Sequence, residues 1–370
     1  MKFSCQQKDL ASGINIVQKA VSTKTTLPIL KGILLESNDG RLKLTGNDLS
    51  IGIETYIDAN IDVSGGIVVS SRIFGEIIRK LPNAQVEITV DDNHNVRILC
   101  EKSEFNLVGQ PAVEYPELPE VEDLHSFEMQ QDLLSNMIRQ TIFAISQNDS
   151  KPILTGSLIK VEENNITIVS IDGYRLAIRK ARIDSTMNEQ AVVPGKTLSE
   201  INRILGGYDG EETVKISFTE KHILVSVENV KIVSRILEGE FIQYEMIQPK
   251  EFKSELSVKT AELLGGIERA SLMAREGKNN SIKLSIRDGS LHITSNTEMG
   301  SVDEEVVISL EGQDLEIGFN PKYLTDALKV MDCEDVIMKL TSSVSPCVMM
   351  PSDHDNYTYI VTPVRIASVS

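Results

Sequence analysis

Phe3-Ser4-Cys5-Gln6-Gln7-Lys8-Asp9-Leu10 returns 124 residues later as Phe127-Glu128-Met129-Gln130-Gln131-Asp132-Leu133-Leu134. Pro28-Ile29-Leu30-Lys31-Gly32 returns at the same offset as Pro152-Ile153-Leu154-Thr155-Gly156, Asp48 falls on Asp172, and one more step lands on Asn296. A unit of that length is too long for a solenoid repeat, so each copy is expected to be a domain with its own core. Three such domains fit within 370 residues at ordinary domain size. Three similar domains suggest an arc or a ring, with function in the surface that repetition builds.

Within the first copy, Leu10, Ile14, Val17 and Val21 recur at helical spacing. Ile33-Leu34-Leu35-Glu36, the turn Ser37-Asn38-Asp39-Gly40 and Leu42-Lys43-Leu44 read as a hairpin. A second helix starts at Ser71, with Ile73, Phe74, Ile77, Ile78 and Leu81 on one face and Pro82 ending it. Val86–Val90 and Val96–Leu99 form another hairpin around Asp91-Asp92-Asn93-His94-Asn95. The other copies repeat the order, so each domain is expected to be an antiparallel sheet with two helices packed on it, an α+β arrangement. Two segments read as connectors: Glu114-Tyr115-Pro116-Glu117-Leu118-Pro119-Glu120, an extended and exposed strap, and Gln248-Pro249-Lys250-Glu251-Phe252-Lys253-Ser254. The domains expected from them are 1–122, 123–251 and 252–370.

The composition is 41% hydrophobic, enough for packed cores, and no apolar run approaches the roughly 20 residues of a membrane span. The N-terminus lacks the apolar stretch of a signal peptide, which points to a soluble, cytoplasmic protein. Cys5, Cys100, Cys333 and Cys347 form no CxxC pair and read as buried free thiols.

The net charge of −17 argues by itself against a nucleic-acid partner. Where the charges fall matters more than their sum. Arg72, Lys196 and Lys322 occupy equivalent starts of the second helix in each copy, and seven residues on come Arg79, Arg203 and Lys329. Positions i and i+7 share one face, so each helix carries a basic pair along one stripe. Lys80 adds to it, and the first helices contribute Lys8, Lys19 and Arg139. The plainer reading is a solvated face neutralised by Glu76, Glu200 and Asp326, each four residues after the first base. Recurrence in all three copies sets a second reading level with it: if the domains form an arc with these helices inward, the stripes make a positive wall that suits the phosphates of duplex DNA, without sequence readout.

Site chemistry is sparse. Gly65-Gly66 reads as a strand turn and Gly206-Gly207 as a helix C-cap, not as phosphate loops. His94, His125, His222, His292 and His354 show no HxxxH or HExxH spacing, Asp91-Asp92 and Glu304-Glu305 read as turn and surface residues, and no GxSxG elbow occurs. These patterns point to a binding protein or scaffold, with no catalytic residue, metal or cofactor.

Thr26-Leu27-Pro28-Ile29-Leu30, Asp172-Gly173-Tyr174-Arg175-Leu176-Ala177, Leu237-Glu238-Gly239-Glu240-Phe241 with Tyr244, and Tyr359-Ile360-Val361-Thr362-Pro363-Val364-Arg365 resemble bacterial sliding clamps, the β subunit of DNA polymerase III, over the whole length. The resemblance implies a head-to-tail homodimer, hence a six-domain ring lined by twelve helices. Such a ring encircles double-stranded DNA, tethers the DNA polymerase III α subunit and also meets the clamp loader and other clamp-binding proteins, without catalysis of its own. The DNA-facing set is then Lys24, Arg72, Arg79, Lys80, Arg139, Lys196, Arg203, Lys322 and Lys329.

The resemblance also implies a partner pocket for a short peptide with apolar anchors. Its positions here are Leu154, Ile171, Gly173, Tyr174, Arg175, Leu176, Ile242, Met246, Ile247, Ser345, Pro346, Ile360, Thr362, Pro363, Val364 and Arg365. An apolar cleft with few polar groups suits such anchors. The family often has Thr at Ile171, His at Tyr174, Pro at Ile242 and Met-Pro-Met-Arg at Thr362–Arg365, which leaves the peptide preference open. For the dimer contact it implies Phe105 and Leu107 against Leu272 and Met273, with Arg97 and Lys102 facing Glu298, Asp303, Glu304 and Glu305. A tandem protein-binding scaffold without DNA, and an enzyme, are the competing readings.

Overall fold

The computed structural model describes residues 1–22, 24–38, 40–119, 126–208, 210–277, 280–287 and 289–365. Asp39 of the expected turn, Glu120 of the expected strap, His125 and the expected boundary at 122/123 lie outside them. The chain forms two compact units, one of residues 1–135 and 196–236, the other of 136–195 and 237–370. The second copy of the repeat is therefore shared between them.

The first unit holds α1 (Gln7–Val17), α2 (Ser71–Lys80) and two antiparallel sheets. The five-stranded sheet runs Asn60–Val63, Lys2–Gln6, Gln85–Val90, Asn95–Cys100, Ser103–Val108. In the nine-stranded sheet Ile51–Asp58 of the first copy pairs with Val230–Arg235 of the second, Ile53 opposite Ile232. α1 turns Leu10, Gly13, Ile14 and Val17 inward, as the spacing predicts. It stops at Val17, passes into a 3₁₀ turn at Gln18–Ala20, and leaves Val21 half-buried beyond the helix. On α2, Phe74 and Ile78 are fully buried, each contributing about 1.5–3 kcal/mol. Ile73, expected on that inner face, is 41% exposed, because its position rotates away from the sheet.

The second copy's helices are α3 (Gln131–Arg139) and α4 (Gly195–Leu205). Gly206 follows α4 and donates its N–H to the Asn202 carbonyl at 3.0 Å, the expected helix end. Gly65-Gly66 instead open the Gly65–Ser70 strand.

The second unit contains α5 (Thr260–Glu276) and α6 (Pro321–Leu328). In its nine-stranded sheet Arg175–Arg182 of the second copy pairs with Tyr357–Val361 of the third, Arg175 opposite Val361 and Ala177 opposite Tyr359. The four-stranded sheet ends at Gly300–Val307, which among the described residues pairs on one side only. Its core joins Leu263, Ile267 and Ala270 of α5 to Phe319, Leu324, Tyr357 and Tyr359. Asn296 does not repeat the Asp48 and Asp172 turns. It lies within the Ser290–Thr297 strand opposite Ser301, because the third copy closes this hairpin with a tighter turn.

Over its described residues, 114–119, the connector differs from an exposed strap. Tyr115 is buried, and Leu118 lies half-buried against Gly52, because the segment follows the surface of the nine-stranded sheet. Cys5, Cys100 and Cys347 are buried free thiols, whereas Cys333 is half-buried.

Candidate partner cleft and basic face

In the second unit the turn Asp172-Gly173-Tyr174-Arg175 is closed by one carboxylate. Asp172 Oδ1 accepts the N–H groups of Tyr174 (2.8 Å) and Arg175 (3.0 Å). Gly173 sits at φ +96°, where an L side chain would be strained, and a Cβ there would meet open space. The turn thus leaves bare backbone at the surface, and Tyr174, 62% exposed, stacks on the Tyr323 ring at 6.2 Å between centroids.

Arg175 points the other way, with only 7% of its side chain exposed. Its Nε donates to Asp172 Oδ2 (2.9 Å), Nη1 to Asp326 Oδ2 (2.7 Å) and Nη2 to the Phe143 carbonyl (2.7 Å). The guanidinium lies 4.6 Å from the Tyr323 ring centroid and 5.4 Å from that of Phe143. Burial works against its charge, but Asp326, Tyr359 and Asp172 outweigh that and raise its pKa. Arg175 therefore ties the turn to α6 and supports the Tyr174–Tyr323 stack from below.

Beside the turn, Leu154, Ile171, Leu176 and Ile360 form one apolar cluster with Tyr244 and Val348, and Ile247 packs against it. Thr362 binds the Tyr174 carbonyl through both its N–H (2.8 Å) and its hydroxyl (2.9 Å). Ile242 and Met246 are exposed, the latter at 80%. Ser345 is fixed by Ser342 at 2.7 Å, and Val364 donates its N–H to the Gly318 carbonyl. Pro346 and Pro363 are half-buried and Arg365 is exposed. Phe143, Tyr323 and Asp326 are structural partners that sequence reasoning missed. Asp326 carried a signal, its i+4 spacing from Lys322, but that spacing points to a solvated helix pair.

The basic residues divide by how they are neutralised. Arg203 pairs with Glu200 (2.8 Å), Lys322 with Asp326 (2.7 Å) and Lys329 with Glu268 (2.8 Å). Lys196 pairs with Asp48 rather than Glu200, and Arg139 with Asp332. Arg79 donates to Gln18 Oε1 (3.0 Å). Among the described residues Lys24, Arg72 and Lys80 make no ion pair, so Glu76 does not neutralise Arg72. Lys329–Glu268 is exposed on both sides, and pairs of that kind contribute about 0–1 kcal/mol, whereas Lys196, Arg203 and Lys322 are themselves exposed but meet carboxylates that are buried or half-buried.

Phe105 and Leu107 lie on Ser103–Val108, the edge strand of the five-stranded sheet; Phe105 is exposed and Leu107 half-buried. Leu272 of α5 is 61% exposed, and Met273 is half-buried beside Gly300. Within the chain Arg97 pairs with Glu104, Glu304 with Arg269 and Asp303 with His292. Each pair holds one of the charges expected at the seam.

Three family models match along the chain: the DNA polymerase III beta subunit N-terminal domain over residues 1–119, the central domain over 128–243 and the C-terminal domain over 245–365. The Beta sliding clamp of Bacillus subtilis is 40% identical over 378 aligned residues, covering 99% of this chain and 100% of that protein. The crystal structure of the Bacillus subtilis DNA polymerase sliding clamp superposes with a TM-score of 0.96, covering 99% of each chain. That of a putative DNA polymerase III beta subunit from Eubacterium rectale does so with a TM-score of 0.95 at 38% identity, covering 99% of this chain and 100% of that one. With three antiparallel α+β domains in series and these matches end to end, the chain belongs to the DNA polymerase III beta subunit family, the bacterial sliding clamps.

Proposed function

We infer that this protein is the processivity factor of a bacterial replicative polymerase: a clamp that holds duplex DNA by topology and has no catalytic step or cofactor of its own. Family membership over the full length carries this conclusion. Three clamp domains of 1–122, 123–251 and 252–370 then make half of a six-domain ring, closed by a second copy head to tail in the cytoplasm. No helix among the described residues is long and apolar enough to cross a membrane.

Two strand edges without a partner among the described residues support the closure. Ile51–Asp58 meets Val230–Arg235, and Arg175–Arg182 meets Tyr357–Val361. The third such pair would join Gly300–Val307 of one chain to Ser103–Val108 of the other, with Phe105 and Leu107 against Leu272 and Met273. The basic residues, most of them exposed, would face DNA phosphates without sequence readout. The cleft around Ile171–Leu176, Ile242–Ile247, Ser345-Pro346 and Ile360–Arg365 would take the apolar anchors of peptides from the polymerase α subunit, the clamp loader and other partners.

Light scattering tests the ring: a mass near twice 40.9 kDa is expected, together with retention on circular DNA and loss on linearisation. A monomer at micromolar concentration that is not shed from linear ends would refute it. A short fluorescein-labelled peptide with adjacent leucine and phenylalanine anchors tests the cleft. One peptide should bind per chain, and Met246→Asp should abolish binding.

A further inference from the structure

The peptide cleft has a counterpart where the first and second copies meet, within the first compact unit. Asp48 Oδ1 accepts the N–H groups of Ser50 and Ile51, both at 2.9 Å, as Asp172 does for Tyr174 and Arg175. Arg235 donates its N–H to the Ser50 carbonyl (3.0 Å) just as Thr362 does to Tyr174 (2.8 Å). The strand registers agree as well: Gly52 faces Val233 as Leu176 faces Ile360. The chain thus builds the same turn against the same strand partner twice.

The two places differ in what fills them. Where the second copy has Leu176 as an apolar floor, the first has Gly52, and a Cβ added there would lie 2.2 Å from Cδ2 of Leu118. The connector side chain therefore rests directly on the glycine backbone. Asn47 stands at the position of Ile171, and its Nδ2 donates to the Pro116 carbonyl (3.4 Å), a tether that isoleucine cannot make. The remaining cavity is about 80 Å³, lined by Leu49, Ile51, Val233 and His222 among others. His222 Nε2 is buried there with no hydrogen-bond partner among the described residues.

We propose that Glu117-Leu118-Pro119 is a built-in occupant of a second peptide cleft, and that Leu118 on Gly52, tethered through Asn47, restricts apolar-anchored partner peptides to one cleft per chain. The proposal rests on the reading of the open cleft above. Its chemistry is that of the open site: an aliphatic anchor on an apolar sheet surface beside an Asx turn. The intramolecular segment wins because it is held at high effective concentration, so a free peptide must displace a tethered competitor.

The test counts bound peptides per chain by native mass spectrometry and fluorescence titration, with the leucine–phenylalanine peptide as probe. Wild type should bind one, Leu118→Ala two, Met246→Asp none and the Leu118→Ala/Met246→Asp double variant one. Glu117, Leu118 and Pro119 all changed to serine should behave as Leu118→Ala does, which keeps the test open if one variant folds poorly. Hydrogen exchange at Gly52 and Val233 should slow when peptide binds the double variant. One peptide on wild type but none on the folded double variant would overturn this inference alone. No peptide on wild type would overturn the cleft reading and this inference with it.

Discussion

Replacing Arg175 by methionine removes a charged group that three elements share. The guanidinium gives up hydrogen bonds to Asp172 (2.9 Å), Asp326 (2.7 Å) and the Phe143 carbonyl (2.7 Å). Breaking a buried ion pair from one side costs about 3–5 kcal/mol, because the remaining charge stays desolvated. Here the carboxylates are not abandoned. Asp326 keeps Lys322 at 2.7 Å, and Asp172 keeps two backbone N–H donors. Methionine also retains much of the apolar contact with Phe143 and Tyr323. The lower end, about 3 kcal/mol, is therefore expected. For a unit of this size that corresponds to a fall of about 6–12 °C in the unfolding midpoint. Arg175→Lys should fall by about half as much, because an ammonium cannot hold both acids in a planar fork. Calorimetry gives the midpoints, and hydrogen exchange at Arg175 and Thr362 shows that the loss arises in the second unit. A folded Arg175→Met protein within about 2 °C of wild type would mean that the buried guanidinium does not hold this unit together.

Charge reversal at Arg79, Arg203 and Lys329 should flatten the salt dependence of DNA retention by about 0.9 in log–log slope for each phosphate no longer neutralised; an unchanged slope would favour the tandem scaffold reading. Burial, with Arg235 and Lys221 nearby, lowers the His222 pKa from 6.5, so the folded state prefers the neutral ring. The unfolded chain then takes up the proton first, and the stability of the first unit should fall as pH drops below 6.5, a slope that His222→Asn removes in pH-dependent denaturation. Burial, with Asp9 adding to it, pushes the Cys5 thiol up to about 12, and burial raises Cys347 further. Both should resist alkylation at pH 8 in the native protein and react only after denaturation; fast native labelling of either would contradict the packing.

Much of this was legible in the chain. Leu10, Ile14 and Val17 mark α1 because a helix lying on a sheet must repeat its apolar contacts every three or four residues. Asp48 and Asp172 mark equivalent turns because an Asx turn is a local device, made by a side chain and the next few amides. The tight Asn296 hairpin and the exposed Ile73 were not legible, since the first depends on the tighter turn between Thr297 and Gly300 and the second on how α2 is rotated against the sheet. Lys196 shows the same limit. Helical spacing offers it Glu200, yet it pairs with Asp48 from another copy.

Three α+β copies, their order and the recurrence of paired bases on the second helices can be read along the chain. Those features follow from short-range periodicity and from similarity between copies, neither of which needs a contact between distant residues. That Arg175 turns inward between Phe143 and Tyr323, and that Leu118 lies on Gly52, emerges from the folded packing. Both outcomes bring together residues far apart in the chain, and their energies depend on burial and on the space a missing side chain leaves. The repeat provides two equivalent turns; packing leaves one open and fills the other.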